Sequence, residues 1–133
     1  MKFKFGKIKN LTEMARIGFI PSGDVNGIEV YVHTDDSGNI PHFHVRKRSS
    51  HNGFEWESCV RYDSPEYFFH SRYNKKLDTK IAKQLDAMLR MVDEKDRNHR
   101  TYWEKAVDDW NDNNSSMELP IDIKQPDYTQ LNN

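Results

Sequence analysis

From Ile28 onward, apolar and polar residues alternate one for one, and this alternation sets the local structure. Ile28, Val30 and Val32 alternate with Glu29, Tyr31 and His33. Phe43 and Val45 alternate with His42, His44 and Arg46; Phe54, Trp56, Ser58 and Val60 alternate with Glu55, Glu57, Cys59 and Arg61. A period of two is that of a half-buried strand, whose side chains leave opposite faces in turn. Asp35-Asp36-Ser37-Gly38-Asn39 and Ser49-Ser50-His51-Asn52-Gly53 separate the runs and are rich in turn-forming residues. The pattern predicts an antiparallel meander of three to four strands. Residues 66–70, beyond the break at Asp63-Ser64-Pro65, are expected as a short further strand. Residues 2–8 (alternating Lys and Phe) read as a strand or extended arm, and residues 17–20 as a strand unless residues 10–20 form a helical turn.

The second half changes period. Leu77, Ile81, Leu85, Met88 and Val92 fall at helical spacing, with Asp78 or Thr79 as N-cap. Thr101-x-x-Glu104 reads as a capping box for a second helix carrying Trp103, Ala106, Val107 and Trp110 on one stripe. Both stripes are expected to pack on the apolar sheet face. The fold class is therefore α+β: a meander followed by two amphipathic helices on one side of it. Residues 1–112 are expected as a single domain and residues 113–133, with two prolines, as a flexible tail with a docking segment at Leu119-Pro120-Ile121-Asp122-Ile123.

Composition narrows the function classes. Net charge is −1, so no global charge marks the chain as a nucleic-acid or membrane-surface binder. Hydrophobic content is 35% and mean hydropathy −0.97, with no stretch near the ~20 apolar residues of a membrane span. The single cysteine, Cys59, excludes an internal disulfide and a cysteine-rich zinc site. With no apolar h-region after Met1, the expected location is the cytoplasm.

Strand parity gathers the chemistry on one face: Glu29, Tyr31, His33, His42, His44, Arg46, Glu55, Glu57 and Arg61. That face is expected to be open, and an open charged face is ordinarily a solvated one. Two imidazoles two residues apart, His42 and His44, with Glu55 or Glu57 as a carboxylate and His33 as a further candidate, match a divalent metal set for zinc, manganese or iron. Alternatively His42 and His44 act as metal-free base and acid with Arg46 on a phosphate, in the manner of a small nuclease. Arg46, Lys47 and Arg48 beside Tyr31 make a basic and aromatic patch suited to nucleic acid or phosphate. The face has no serine or threonine nucleophile. No glutamate follows His44 at cupin spacing, and Arg46 stands where histidine-triad hydrolases carry a third histidine. Cys59 and His70 carry no distinct role by position alone.

The run Ile28-Glu29-Val30-Tyr31-Val32, a polar turn, and Pro41-His42-Phe43-His44-Val45 resemble the small bacterial proteins of domain of unknown function 4160. The resemblance spans roughly residues 27–110 and rests on the Pro-His-Phe-His element. It implies a strand after that element, then two helices of which the last carries a tryptophan, a place Trp103 or Trp110 fills. Members often carry an Asp-His pair before the proline; here Asp36-Ser37-Gly38 stands instead, which puts a three-histidine site in doubt. The family's links to toxin–antitoxin-like and mobile-element gene pairs imply a binding or regulatory role, with a protein or nucleic acid as partner. An unpaired edge strand also makes a homodimer a candidate assembly. The alternative is a metal-dependent hydrolase or small nuclease.

Overall fold

A computed structural model describes residues 14–20, 27–33, 40–48, 53–70 and 73–133. Strands β1 (Met14–Ile20), β2 (Ile28–His33), β3 (His42–Arg48) and β4 (Phe54–Arg61) form one antiparallel sheet in the order β1-β2-β3-β4. Helices α1 (Thr79–Leu89) and α2 (Tyr102–Asn113) follow, so the chain is the α+β meander that the alternation predicts. The Lys/Phe strand at residues 2–8 and most of the turn residues between strands lie outside the described residues.

Ile28, Val30, Val32, Phe43, Val45 and Val60 point to one side of the sheet and are buried with Leu85, Leu89, Trp103, Val107 and Trp110. Asp78 caps α1 through the Ile81 amide, and Thr101 with Glu104 closes the capping box on α2. The first stripe ends earlier than its spacing suggests: α1 stops at Leu89 and Val92 is exposed. A register shift between Arg16 and Gly18 turns β1 over part-way along. Arg16 therefore serves the polar face, opposite Tyr31, while Ile20 serves the core, opposite Ile28. At this bend α2 comes close: a Cβ on Gly18 would lie 2.9 Å from Tyr102 Cε1.

Three sequence expectations are corrected. First, residues 66–70 form no strand; they return along β4 through single contacts, Arg61 N–H to Glu66 O and Phe68 N–H to Cys59 O, both at 2.9 Å. Pro65 and the tight Asp63–Ser64 turn leave too little regular backbone for a ladder. Second, a register shift near the start of β4 sets Phe54 opposite Arg48 and Trp56 opposite Lys47. Glu55 is the extra residue, so parity fails there: Phe54 leaves the core face and Glu55 leaves the polar one. Third, residues 113–133 are no loose tail but a packed strap. Tyr128 is fully buried, its hydroxyl donates to Arg61 O at 2.5 Å, and Trp103 Nε1 donates to Ile123 O at 2.9 Å. Few large apolar groups suggested mobility, but three of them, Leu119, Tyr128 and Leu131, are buried in the core and anchor the strap.

Candidate metal centre

The second sheet face is buried too. His42 and His44 project together from β3, flanked by Tyr31 on β2 and by Cys59, directly opposite His44, on β4. The chain returning after β4 lays Phe68, His70 and Tyr73 over these rings: Phe68 and His70 pack on His42, and Tyr73 stands edge-on to His44, with ring centroids 4.8–5.1 Å apart. As a result His42, His44 and Cys59 have 0% exposure. The expected open, solvated face is therefore an enclosed one, because the segment after β4 folds back onto it instead of leaving toward α1.

Four potential donors converge in this enclosure: His42, His44, Cys59 and His70, each offering one ligand atom, all within 4.8 Å of one another. Cys59 Sγ is 3.3 Å from His70 Nε2, and on His44 it lies nearer Nδ1 (3.4 Å) than Nε2 (3.8 Å). A tetrahedral zinc ion, with nitrogen at about 2.0–2.1 Å and sulfur at about 2.3 Å, sets neighbouring donors about 3.3–3.6 Å apart. The Cys59–His70 pair has that separation, while the 4.8 Å that bounds the whole group is wider than a closed tetrahedron.

Hydrogen bonds orient the rings. His42 Nδ1 lies 2.7 Å from Ile40 O, and a carbonyl only accepts, so the proton is on Nδ1 and the lone pair on Nε2. His44 Nδ1 lies 2.8 Å from Glu57 Oε2, and the Tyr31 hydroxyl donates to the same oxygen. Burial pushes the Glu57 carboxyl up, but the hydrogen bonds from His44 and Tyr31 and the charges of His44 and Arg46 outweigh it and hold it below the ordinary range. An ionised Glu57 is an acceptor only, so His44 Nδ1 donates, and in the neutral form of the ring Nε2 carries the lone pair. A carboxylate or carbonyl on the far nitrogen is the usual support of a metal-binding histidine. Burial, and then the neighbouring Glu57, keep the Tyr31 phenol protonated far above its ordinary titration.

The remaining sequence candidates do other work. Arg46 Nε donates to Glu29 Oε1 at 2.6 Å, and its guanidinium lies between the rings of Tyr31 (4.2 Å) and Phe54 (3.6 Å). Glu29, itself 1% exposed, also receives Arg16 at 3.1 Å. Arg46 is thus engaged as the counterion of Glu29. Lys47 reaches Glu55 at 3.6 Å on the rim, and alternation sends Arg46 and Lys47 to opposite faces, so Arg46, Lys47 and Arg48 form no single patch. Arg61 pairs with Asp63 at 2.8 Å. Glu57 supports His44, Glu55 stands outside the centre, and His33 joins His44 and Glu57 in a second, overlapping group of potential ligands.

Cys59 and His70 are the residues that strand reading passed over. Parity already set Cys59 on the histidine face. The signal for His70 was the turn at Asp63-Ser64-Pro65: a return from it pairs Val60 with Tyr67, which carries His70 back alongside the strand that holds Cys59. Comparison with protein-family models, curated proteins and solved structures gave no match. Among the described residues no helix is long and apolar enough to cross a membrane.

Proposed function

We propose that this chain is a metal-binding protein whose centre is His42, His44, Cys59 and His70, acting as a binding or regulatory component. The observation that carries the reading is the convergence of three imidazoles and one thiol within 4.8 Å in a buried site, two of the rings already held by hydrogen bonds at Nδ1. One thiolate with imidazoles favours zinc; manganese prefers carboxylate and water. Four protein donors fill a tetrahedron and leave no open position for a reacting water. With three of the four fully buried, a substrate would also have no approach to the ion. Both points favour holding a metal over the hydrolase or nuclease reading. The resemblance to domain of unknown function 4160 supports the same class of role, of toxin–antitoxin-like type with a protein or nucleic acid as partner.

The test is metal content and cobalt spectroscopy on untagged protein. One zinc per chain is expected, and cobalt(II) replacing it should give tetrahedral ligand-field bands and a thiolate charge-transfer band. Cys59→Ser should abolish the charge-transfer band, and His42→Ala with His44→Ala should abolish binding. Protein that takes up no zinc at micromolar concentrations, or a Cys59→Ser variant with an unaltered cobalt spectrum, refutes the assignment.

A further inference from the structure

Trp56 is the one tryptophan that the core does not enclose. Trp103 and Trp110 are buried, whereas Trp56 is half-buried on β4, an edge strand of the sheet. With Leu77 and Ile81 it walls a cavity of about 350 Å3 between β4, the start of α1 and the C-terminal strap. That volume lies in the range of ligand sites, about 300–1,000 Å3. The wall is fixed at Leu77: its N–H donates to the Tyr67 hydroxyl at 2.8 Å, and its carbonyl accepts from Asn132 Nδ2 at 2.7 Å. Lys75 and Lys76 complete the lining beside Asp78 and Asn132.

The charge around this cavity is one-sided. Residues 75–85 hold four lysines and a single carboxylate, in a chain whose net charge is −1. Lys75, Lys76, Lys80 and Lys83 are all exposed. The ion-paired lysines lie elsewhere: Lys47 with Glu55 and Lys105 with Asp93. The one carboxylate, Asp78, is engaged as N-cap of α1, and the next along the helix, Asp86, is taken by Arg90. The first turn of α1 has no acidic residue, and lysines near a helix start oppose its dipole, so helix stability does not account for them. Lys80 and Lys83, three residues apart, are neighbours on the exposed side of α1 and carry the charge beyond the cavity. A small anion would use only the cavity; a polyanion would use the whole row. An aromatic wall beside a row of cations is the chemistry that holds unpaired bases and their phosphates. We infer that this surface binds single-stranded nucleic acid, with one base entering the cavity against Trp56 and the adjoining phosphates lying along Lys75, Lys76, Lys80 and Lys83. The inference goes beyond the metal reading and does not rest on it.

Fluorescence anisotropy of end-labelled oligouridine and oligodeoxythymidine tests this on the full chain, with strands of about twelve nucleotides, inside the ~4–16 that single-strand sites cover. Binding is expected, and the tighter of the two identifies RNA or DNA as the ligand. Affinity should fall between about 50 and 200 mM salt with a log–log slope of about −2 to −3, for three or four phosphate contacts. Lys75→Gln with Lys76→Gln should make that slope shallower by about 1.4. Trp56→Ala should weaken binding by about 5–100-fold with the slope unchanged, and Trp56→Phe, which keeps a stacking ring, should restore most of it. Circular dichroism checks that each variant is folded; the lysine pair is exposed, so it tests the site even where Trp56→Ala does not fold. Wild-type protein that binds neither strand at micromolar concentration, or a double lysine variant with an unaltered slope, overturns the inference. So does a mononucleotide, or a duplex of the same length, that binds as tightly as the single strand.

Discussion

Replacing Tyr128 by alanine is expected to destabilise the domain by about 3–5 kcal/mol, although the residue lies in a single 3-10 turn outside the sheet and the two α-helices. The figure follows from its surroundings. The ring is fully buried, edge-on to Phe43 at 5.7 Å and against Trp103 at 6.3 Å, so its loss opens a cavity in the main core. Its hydroxyl satisfies Arg61 O at the last residue of β4, and its backbone amide donates to Asp86 Oδ1 on α1 at 3.0 Å. Tyr128→Phe isolates the hydroxyl: it leaves a buried carbonyl short of a partner and should cost about 1–2 kcal/mol. For a chain of 133 residues, unfolding entropy near the midpoint is roughly 0.3 kcal/mol per kelvin, so the alanine variant should melt about 10–18 °C lower and the phenylalanine variant about 4–7 °C lower. The assay is thermal and urea unfolding followed by circular dichroism at saturating zinc, with both variants beside the wild type. An alanine variant that melts within about 2 °C of wild type would show that the C-terminal strap is not part of the core.

Two further perturbations probe buried charge. Arg46→Met strands Glu29 with only the half-exposed Arg16 and should cost about 3 kcal/mol or more; adding Glu29→Gln should recover part of that in urea unfolding, and a double variant no more stable than the single would contradict the pairing. Asp109 on α2 has its pKa raised to about 6, first by burial and then by Asp112 and Asp108, against the opposing pull of Lys105 and Arg100. Its folded form binds the proton more tightly than the unfolded one, so the associated stability is fully present below the unfolded value near 3.8 and is lost as pH rises through 6. Asp109→Asn should therefore be more stable than wild type at pH 8, by about 1–3 kcal/mol after allowance for its partial exposure, and should flatten the pH dependence between 4 and 6. Equal stability of the two at pH 8 would refute that assignment.

Period and punctuation made the scaffold legible. The alternation of Ile28, Val30 and Val32 and the Thr101–Glu104 capping signature depend on neighbours in sequence, and both appear as expected. What failed depended on one-residue events or on distant packing. The register shift at Glu55 moves Phe54 to the opposite face, and no local propensity marks it. Tyr128 looked like part of a polar tail because its partners, Phe43 and Arg61, lie more than sixty residues away. The site divided in the same way. His42 and His44 follow from spacing on one strand, and parity put Cys59 beside them. His70 required the path of an irregular return that forms only one bridge with β4 before its own contact with Tyr73.

A sheet covered on both faces ordinarily carries apolar side chains on both. Here the second face is buried yet built from imidazole, phenol, carboxylate, guanidinium and thiol, so its stability depends on polar satisfaction and not on area. Glu29 is satisfied by two guanidinium groups, and Glu57 by Tyr31 and His44. His42, His44, Cys59 and His70 sit together as a compact group of potential ligands, in which Cys59 Sγ lies within hydrogen-bond distance of His70 Nε2 at 3.3 Å. An ion there would join β3, β4 and the return segment that carries His70 into one unit, in a face that has few apolar contacts to do so. Metal binding and folding of this half of the molecule are then the same equilibrium, so chelation should loosen the histidine face while leaving the apolar core around Trp110 and Phe43 in place.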